Sequence, residues 1–164
     1  MSKILVNELA HTNGTDALSI NSSGFVSQSK IIAFHAKQVS ALAYNNYVIF
    51  SSIDTNEGSA YNSTDGKFTV PTGGGGTYFF HTRLQYDKDS TDTGTKYNQL
   101  SFHKNDSQVG GSILSHYYGR GDYDYNDGTI VITLAAGDTM RVYSGGNATL
   151  YVGNYSSFNG FRIG

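Results

Sequence analysis

From Thr77 to Tyr86 the side chains alternate without a break: Tyr78, Phe80, Leu84 and Tyr86 share one face with Thr82, and Phe79, His81, Arg83 and Gln85 take the other. A period of two held over ten residues belongs to a half-buried antiparallel strand. The stretch 128–134 repeats the pattern, with Ile130, Ile132 and Leu134 opposite Thr129, Val131 and Thr133. No capped segment of helical period competes with it. Twenty glycines, thirteen tyrosines and a single proline complete the profile of a strand-and-turn protein. The expected fold is all-β.

Strand candidates recur near 31–36, 47–50, 67–71, 77–86, 96–104, 111–118, 128–134, 139–143, 149–153 and 158–163, separated by Gly, Asn and Asp turns. That spacing suits an antiparallel jelly-roll sandwich. Residues 1–30 differ, because short apolar clusters (Ile4, Leu5, Val6; Leu18, Ile20; Phe25, Val26) sit among turn signals and cannot close a core alone. The chain therefore divides into a leader or docking segment, 1–30, and one domain, 31–164.

A net charge of −2 with 15% charged residues offers no broad basic field, so neither nucleic acid nor an anionic bilayer is an expected partner. No apolar run approaches the ~20 residues that cross a membrane, and none is expected to insert. The N-terminus has only three apolar residues in a row before Asn7 and Glu8, which does not read as a signal peptide. Without cysteine there is no disulfide frame or thiolate chemistry. Stability must come from packing and assembly.

Motifs spread along 31–163 resemble, in order, those of the globular head of complement C1q, a trimeric jelly roll related to tumour necrosis factor. These are Ala33-Phe34-His35-Ala36, Val48-Ile49-Phe50, then Asn56 … Tyr61 … Gly66-Lys67-Phe68-Thr69-Val70-Pro71, and Gly76-Thr77-Tyr78-Phe79-Phe80. Leu100 … Lys104-Asn105, the Gly137-Asp138 turn and Phe158 … Gly160-Phe161 complete the series. The resemblance implies a homotrimeric binding module and not an enzyme. Two departures stand out: no collagen-like Gly-X-Y stalk is present, and the loop Pro71–Gly76 is unusually glycine-rich. The leader pattern Ser2-Lys3-Ile4 … Val6-Asn7-Glu8-Leu9 … Gly14-Thr15 is similar to the opening of some marine bacteriophage fibre proteins. This implies a virion protein, a tail or capsid fibre, tip or decoration, whose leader docks to other virion proteins. The runner-up is a soluble C1q-like pattern-recognition or adhesion protein; a jelly-roll glycan-active enzyme is the third reading.

Tyr117–Gly128 is the most unusual stretch, since tyrosine offers a broad aromatic face with a polar tip and Asp and Asn supply directional hydrogen bonds. The expected contacts to a host-surface glycan or protein are Tyr117, Tyr118, Arg120, Asp122, Tyr123, Asp124, Tyr125, Asn126 and Asp127, with Asp87 and Asp89 from a second loop. The alternative is a solvated connection whose tyrosines only cover their own strands. Arg120-Gly121-Asp122 is the integrin tripeptide, too short a match to name a partner. No cofactor is expected, although Asp122-x-Asp124-x-Asn126-Asp127 and Asp87-x-Asp89-x-Thr91-Asp92 place oxygens at alternate positions as calcium loops do. Neither completes an EF-hand. The five histidines lack zinc-protease spacing, with His81 and His103 expected on strands that could meet. Gly73–Gly76 lacks the Lys-Ser/Thr of a phosphate loop.

Overall fold

The computed structural model describes residues 8–10, 13, 16–28, 30–39, 45–87, 96–118 and 123–164. They fall into two compact units, Met1–Ile31 and Ile32–Gly164. Within the first, β1 (Glu8–Ala10), β2 (Asp16–Ile20) and β3 (Val26–Gln28) form a three-stranded antiparallel sheet. Leu9, Ile20, Phe25 and Val26 stay exposed, Phe25 by 74%. Three short strands have no second layer on which to bury them.

The second unit is a sandwich of two antiparallel sheets. One has the order β13-β9-β15-β4-β6, where β4 is Ala33–Val39, β6 Phe50–Glu57, β9 Gly76–Tyr86, β13 Asp124–Leu134 and β15 Gly153–Arg162. The other has the order β11-β10-β14-β8-β7, built from β7 (Tyr61–Asn62), β8 (Lys67–Thr69), β10 (Lys96–Lys104), β11 (Ser107–Gln108) and β14 (Thr139–Gly146). The short β5 (Asn46–Tyr47) joins it on β14, and β12 (Leu114–Tyr118) on β10. The all-β jelly-roll expectation holds.

The alternation along β9 is what closes the core. Tyr78, Phe80, Thr82, Leu84 and Tyr86 are all buried between the sheets. Phe158 of β15 stands at the centre, its ring 4.8 Å from that of Phe34, 5.8 Å from Phe80, 5.9 Å from Phe50 and 6.3 Å from Phe102. Next along β15, Gly160 leaves the space that these rings fill. A Cβ there would meet the Phe80 ring, with Phe34 Cε1 at 3.0 Å. Gly160→Ala should therefore cost about 1–3 kcal/mol of stability through overpacking, read as a lowered denaturation midpoint. An unchanged midpoint would mean that the two rings give way freely.

The Gly137-Asp138 turn is present, with Gly137 at φ 87. The Asp138 carboxylate accepts from Lys104 Nζ at 2.8 Å, Asn105 Nδ2 at 2.8 Å and the Ala135 N–H at 2.8 Å. These hydrogen bonds, that of Lys104 first, hold its pKa at about 2.

Three expectations need correction. The strand expected near 47–50 is two strands in different sheets, β5 ending at Tyr47 and β6 beginning at Phe50 and continuing to Glu57, because an edge strand with one partner, β4, tolerates polar residues. Of the segment 149–153, only Gly153 is strand, as the first residue of β15, and the rest makes one bridge, Leu150 to Tyr86. Residues 124–127, read as loop, belong to β13, whose register with β9 runs unbroken from Asp124↔Tyr86 to Leu134↔Gly76.

Candidate functional site

The pairing registers arrange the outer face of the five-stranded sheet in rows. Val131, Phe79, Phe161 and Ala33 form one, near the end of the sheet where β4 begins and β15 finishes. Thr129, His81, Asn159 and His35 form the next, followed by Asp127, Arg83, Ser157 and Lys37. The first row is apolar and open: the Phe79 and Phe161 rings lie 5.2 Å apart, Phe161 is 47% exposed and Val131 60%. Contiguous aromatic surface of this kind marks a contact face.

At the other end, where β4 finishes and β9 gives way to the next segment, tyrosines gather. Tyr123, just before β13, packs edge-on against Tyr151 at 5.3 Å, and Tyr151 lies 5.8 Å from Tyr155 of β15. The segment carrying Tyr151 is pinned beside β9 by Tyr151 N–H to Gln85 O (2.9 Å) and Asp87 N–H to Thr149 O (2.7 Å). Tyr123 is 49% and Tyr155 61% exposed. Below them opens a cavity of about 330 Å3. His35 and Lys37 of β4 line it from one side, Arg83 and Tyr125 from the other, and Asn154, Tyr155 and Ser157 of β15 between them.

Its cations are held in place. The Arg83 guanidinium lies over the Tyr125 ring, 4.2 Å from its centre, and Gln85 Nε2 donates to the Tyr125 hydroxyl at 2.7 Å. Lys37 Nζ and His35 Nδ1 meet Asp54 at 2.8 and 3.3 Å, and Arg83 Nε stands a loose 3.8 Å from Asp127. Lys37, first by its hydrogen bond, lowers the Asp54 pKa. Neither Asp54 nor Asp127 lines the cavity.

The sequence candidates separate accordingly. Tyr123 stands at the tyrosine cluster and Tyr125 in the cavity wall. Asp127 lies on the outer face beside Arg83. Asn126 is a correction: parity on β13 turns it inward, where it is buried and its Nδ2 donates to Asn98 Oδ1 at 2.9 Å and Leu114 O at 3.0 Å. Asp124, also inward-facing, accepts from Asn98 Nδ2 at 2.6 Å, so it braces the two sheets. Tyr117 and Tyr118 lie on β12, paired with Tyr97 and Lys96. Asp87 closes the end of β9 through its backbone. Arg120, Asp122 and Asp89 lie outside the described residues. Among the described residues no three His, Asp or Glu side chains come together as metal ligands.

His81 and His103 do not meet across a sheet of one chain, since they stand on different sheets. His103 is instead clamped by Tyr47 Oη at 3.2 Å and Ser101 Oγ at 3.1 Å, and burial lowers its pKa. Arg141 covers the Tyr47 ring at 3.8 Å and donates to Asp65 O at 2.6 Å. This second polar cluster bonds mainly within itself, with Arg141 Nε buried and without a hydrogen-bond partner.

Residues 33–163 match the family model of the C1q domain. The chain belongs to the C1q domain family. Solved structures agree on the fold. The globular domain of zebrafish complement 1qA is 19% identical, with a TM-score of 0.55 over 81% of this chain and 98% of that one. Eiger, a TNF from S. frugiperda, is 15% identical at TM-score 0.58, covering 82% and 94%. Murine APRIL is 17% identical at 0.56, covering 80% and 98%. Among curated proteins no sequence matches. In this C1q domain, the cavity lined by Lys37, Arg83, Tyr125 and Tyr155 and the open aromatic row share one sheet face, His35 of the lining standing one row from Phe161.

Proposed function

We infer that this C1q domain is a non-enzymatic, homotrimeric adhesion module of a virus particle, a tail or capsid fibre, tip or decoration. The observation that carries the adhesion reading is the exposed tyrosine cluster of Tyr123, Tyr151 and Tyr155, beside an open cavity and at the end of the sandwich away from the residue-32 entry of the chain. Aromatic side chains with polar tips suit glycan or protein surfaces. The aromatic row Val131, Phe79 and Phe161 supplies a self-association face. Residues 1–30, with Leu9, Phe25 and Val26 exposed, supply the contact to other virion proteins. The virion setting rests on the likeness of that leader to phage fibre openings.

Removal of residues 1–30 should leave a folded trimer with its thermal midpoint within about 3 °C of the parent's, since the core lies wholly within Ile32–Gly164. It should also abolish incorporation into particles, read by immunoblotting of sedimented virions from a lysate of the producing cells. A full-length chain absent from sedimented particles and found free in the medium would transfer the same adhesion site to a soluble C1q-like protein.

A further inference from the structure

The two faces of the leader sheet differ in chemistry. Pairing sets Leu9 of β1 opposite Leu18 of β2, and Ile20 of β2 opposite Val26 of β3. Directly opposed residues share a face, as do residues two apart along a strand, so these four stand together. Gln28, opposite Leu18 at the β3 edge, is the polar member of that face. Ala17, Ser19 and Ser27 take the other side, where the Ser19 and Ser27 hydroxyls are hydrogen-bonded at 2.6 Å. Leu9, Ile20 and Val26 are exposed, and among the described residues of this unit there is no second layer to cover them. We propose that in the homotrimer the apolar faces of three leader sheets pack on one another around the three-fold axis, each copy supplying the layer that the others lack. The inference rests on the homotrimer of the reading above and not on its virion setting.

Chain continuity selects copies of the same chain over a foreign partner. β3 ends at Gln28 and β4 begins at Ala33, which stands in the row of Phe161, Phe79 and Val131. Five peptide steps span at most about 18 Å. The leader sheet is therefore tethered close to the row assigned to the trimer contact, and three chains that share that contact bring three apolar faces within reach of one another. Cyclic closure lets one surface patch serve in every copy. Four apolar side chains fall well short of the roughly 20–30 residues a side of a stable interface, so free leaders stay apart at micromolar concentration. Short tethers raise the effective concentration to the millimolar range, and the leaders close only after the domains have met. The docking contact to the particle then falls to Phe25, exposed beside the β2–β3 turn, and to the face of Ser19 and Ser27.

The test uses the full-length chain, which has no cysteine of its own. Val26→Cys and Ser27→Cys place single thiols on adjacent residues of β3 that face opposite ways. With a short bis-maleimide, Val26→Cys should link protomers at least tenfold faster than Ser27→Cys, read as covalent dimer on denaturing gels. Hydrogen exchange read by mass spectrometry should show β2 amides exchanging at least tenfold more slowly in the parent trimer than in the Val26→Asp variant, at unchanged trimer mass. Ser27→Asp should leave the parent rate. Equal linkage of the two thiols, or β2 exchange that ignores Val26→Asp, would overturn the proposal. Protection that arises only in sedimented particles would give the face to another virion protein and overturn it too. A parent that is monomeric by native mass spectrometry would bring down the homotrimer itself, whereas a trimeric parent with an unprotected leader would sink this proposal alone.

Discussion

Phe158→Ala should destabilise the protein by about 3–5 kcal/mol. The side chain is fully buried, and its ring touches the layers contributed by β4, β6, β9 and β10 at once. Its removal leaves a cavity whose walls are themselves rings locked against one another: Phe34 stacks on Tyr61 at 4.9 Å, and Phe68 meets Phe80 edge-on at 5.1 Å. Interlocked rings collapse poorly into a void, so the residual cavity adds to the lost transfer energy. Against a total of about 5–15 kcal/mol for a domain, such a loss removes a fifth or more of the margin. Denaturant titration at fixed protein concentration reads it, since assembly shifts the midpoint with concentration. A change below about 1 kcal/mol would mean that the sheets close over the gap.

Phe79→Asp combined with Phe161→Asp should convert the proposed trimer into folded monomer at micromolar concentration, a loss of at least a hundredfold in association. Truncation of a central aromatic contact costs ~2 kcal/mol or more, and each trimer would hold three copies of the damaged surface. Aspartate adds the cost of burying an unpaired charge. Both side chains point out of the sheet, so the core beneath is untouched. Native mass spectrometry with circular dichroism separates the outcomes. An intact trimer would move the self-association face off this sheet; an unfolded chain would show that the aromatic pair stabilises the monomer.

The parts of the fold legible in the sequence are those where burial writes itself into alternation. Tyr78, Phe80, Leu84 and Tyr86 face the core along β9, and Ile130 and Ile132 pack toward it along β13. The parts that escaped depend on partners far away in the chain. Residues 51–56 lie outside the strand candidates and become strand through β4, while Asp124–Asp127 become strand through the β9 ladder. The candidate site was half legible. Tyr123 and Tyr125 stand out in a tyrosine-rich stretch, whereas Tyr151, Tyr155, Lys37 and Arg83 converge only after β4, β15, β9 and β13 have paired. The one local signal was parity, which places Arg83 on the outward face of β9.

The order β15-β4-β6 has a mechanical consequence. The chain enters the domain at residue 32, beside the end of β15, with the Arg162 N–H bonded to Ile32 O at 3.0 Å, while the tyrosine cluster lies at the far end of the same sheet. Were the tyrosines to grip a surface and the leader a particle, as proposed, tension would pull β4 along its own axis. Its ladder bonds to β15 and β6 run across that axis, so they carry the load together as shear and do not peel apart one after another. An adhesin strung in this way would resist flow with a whole ladder at once.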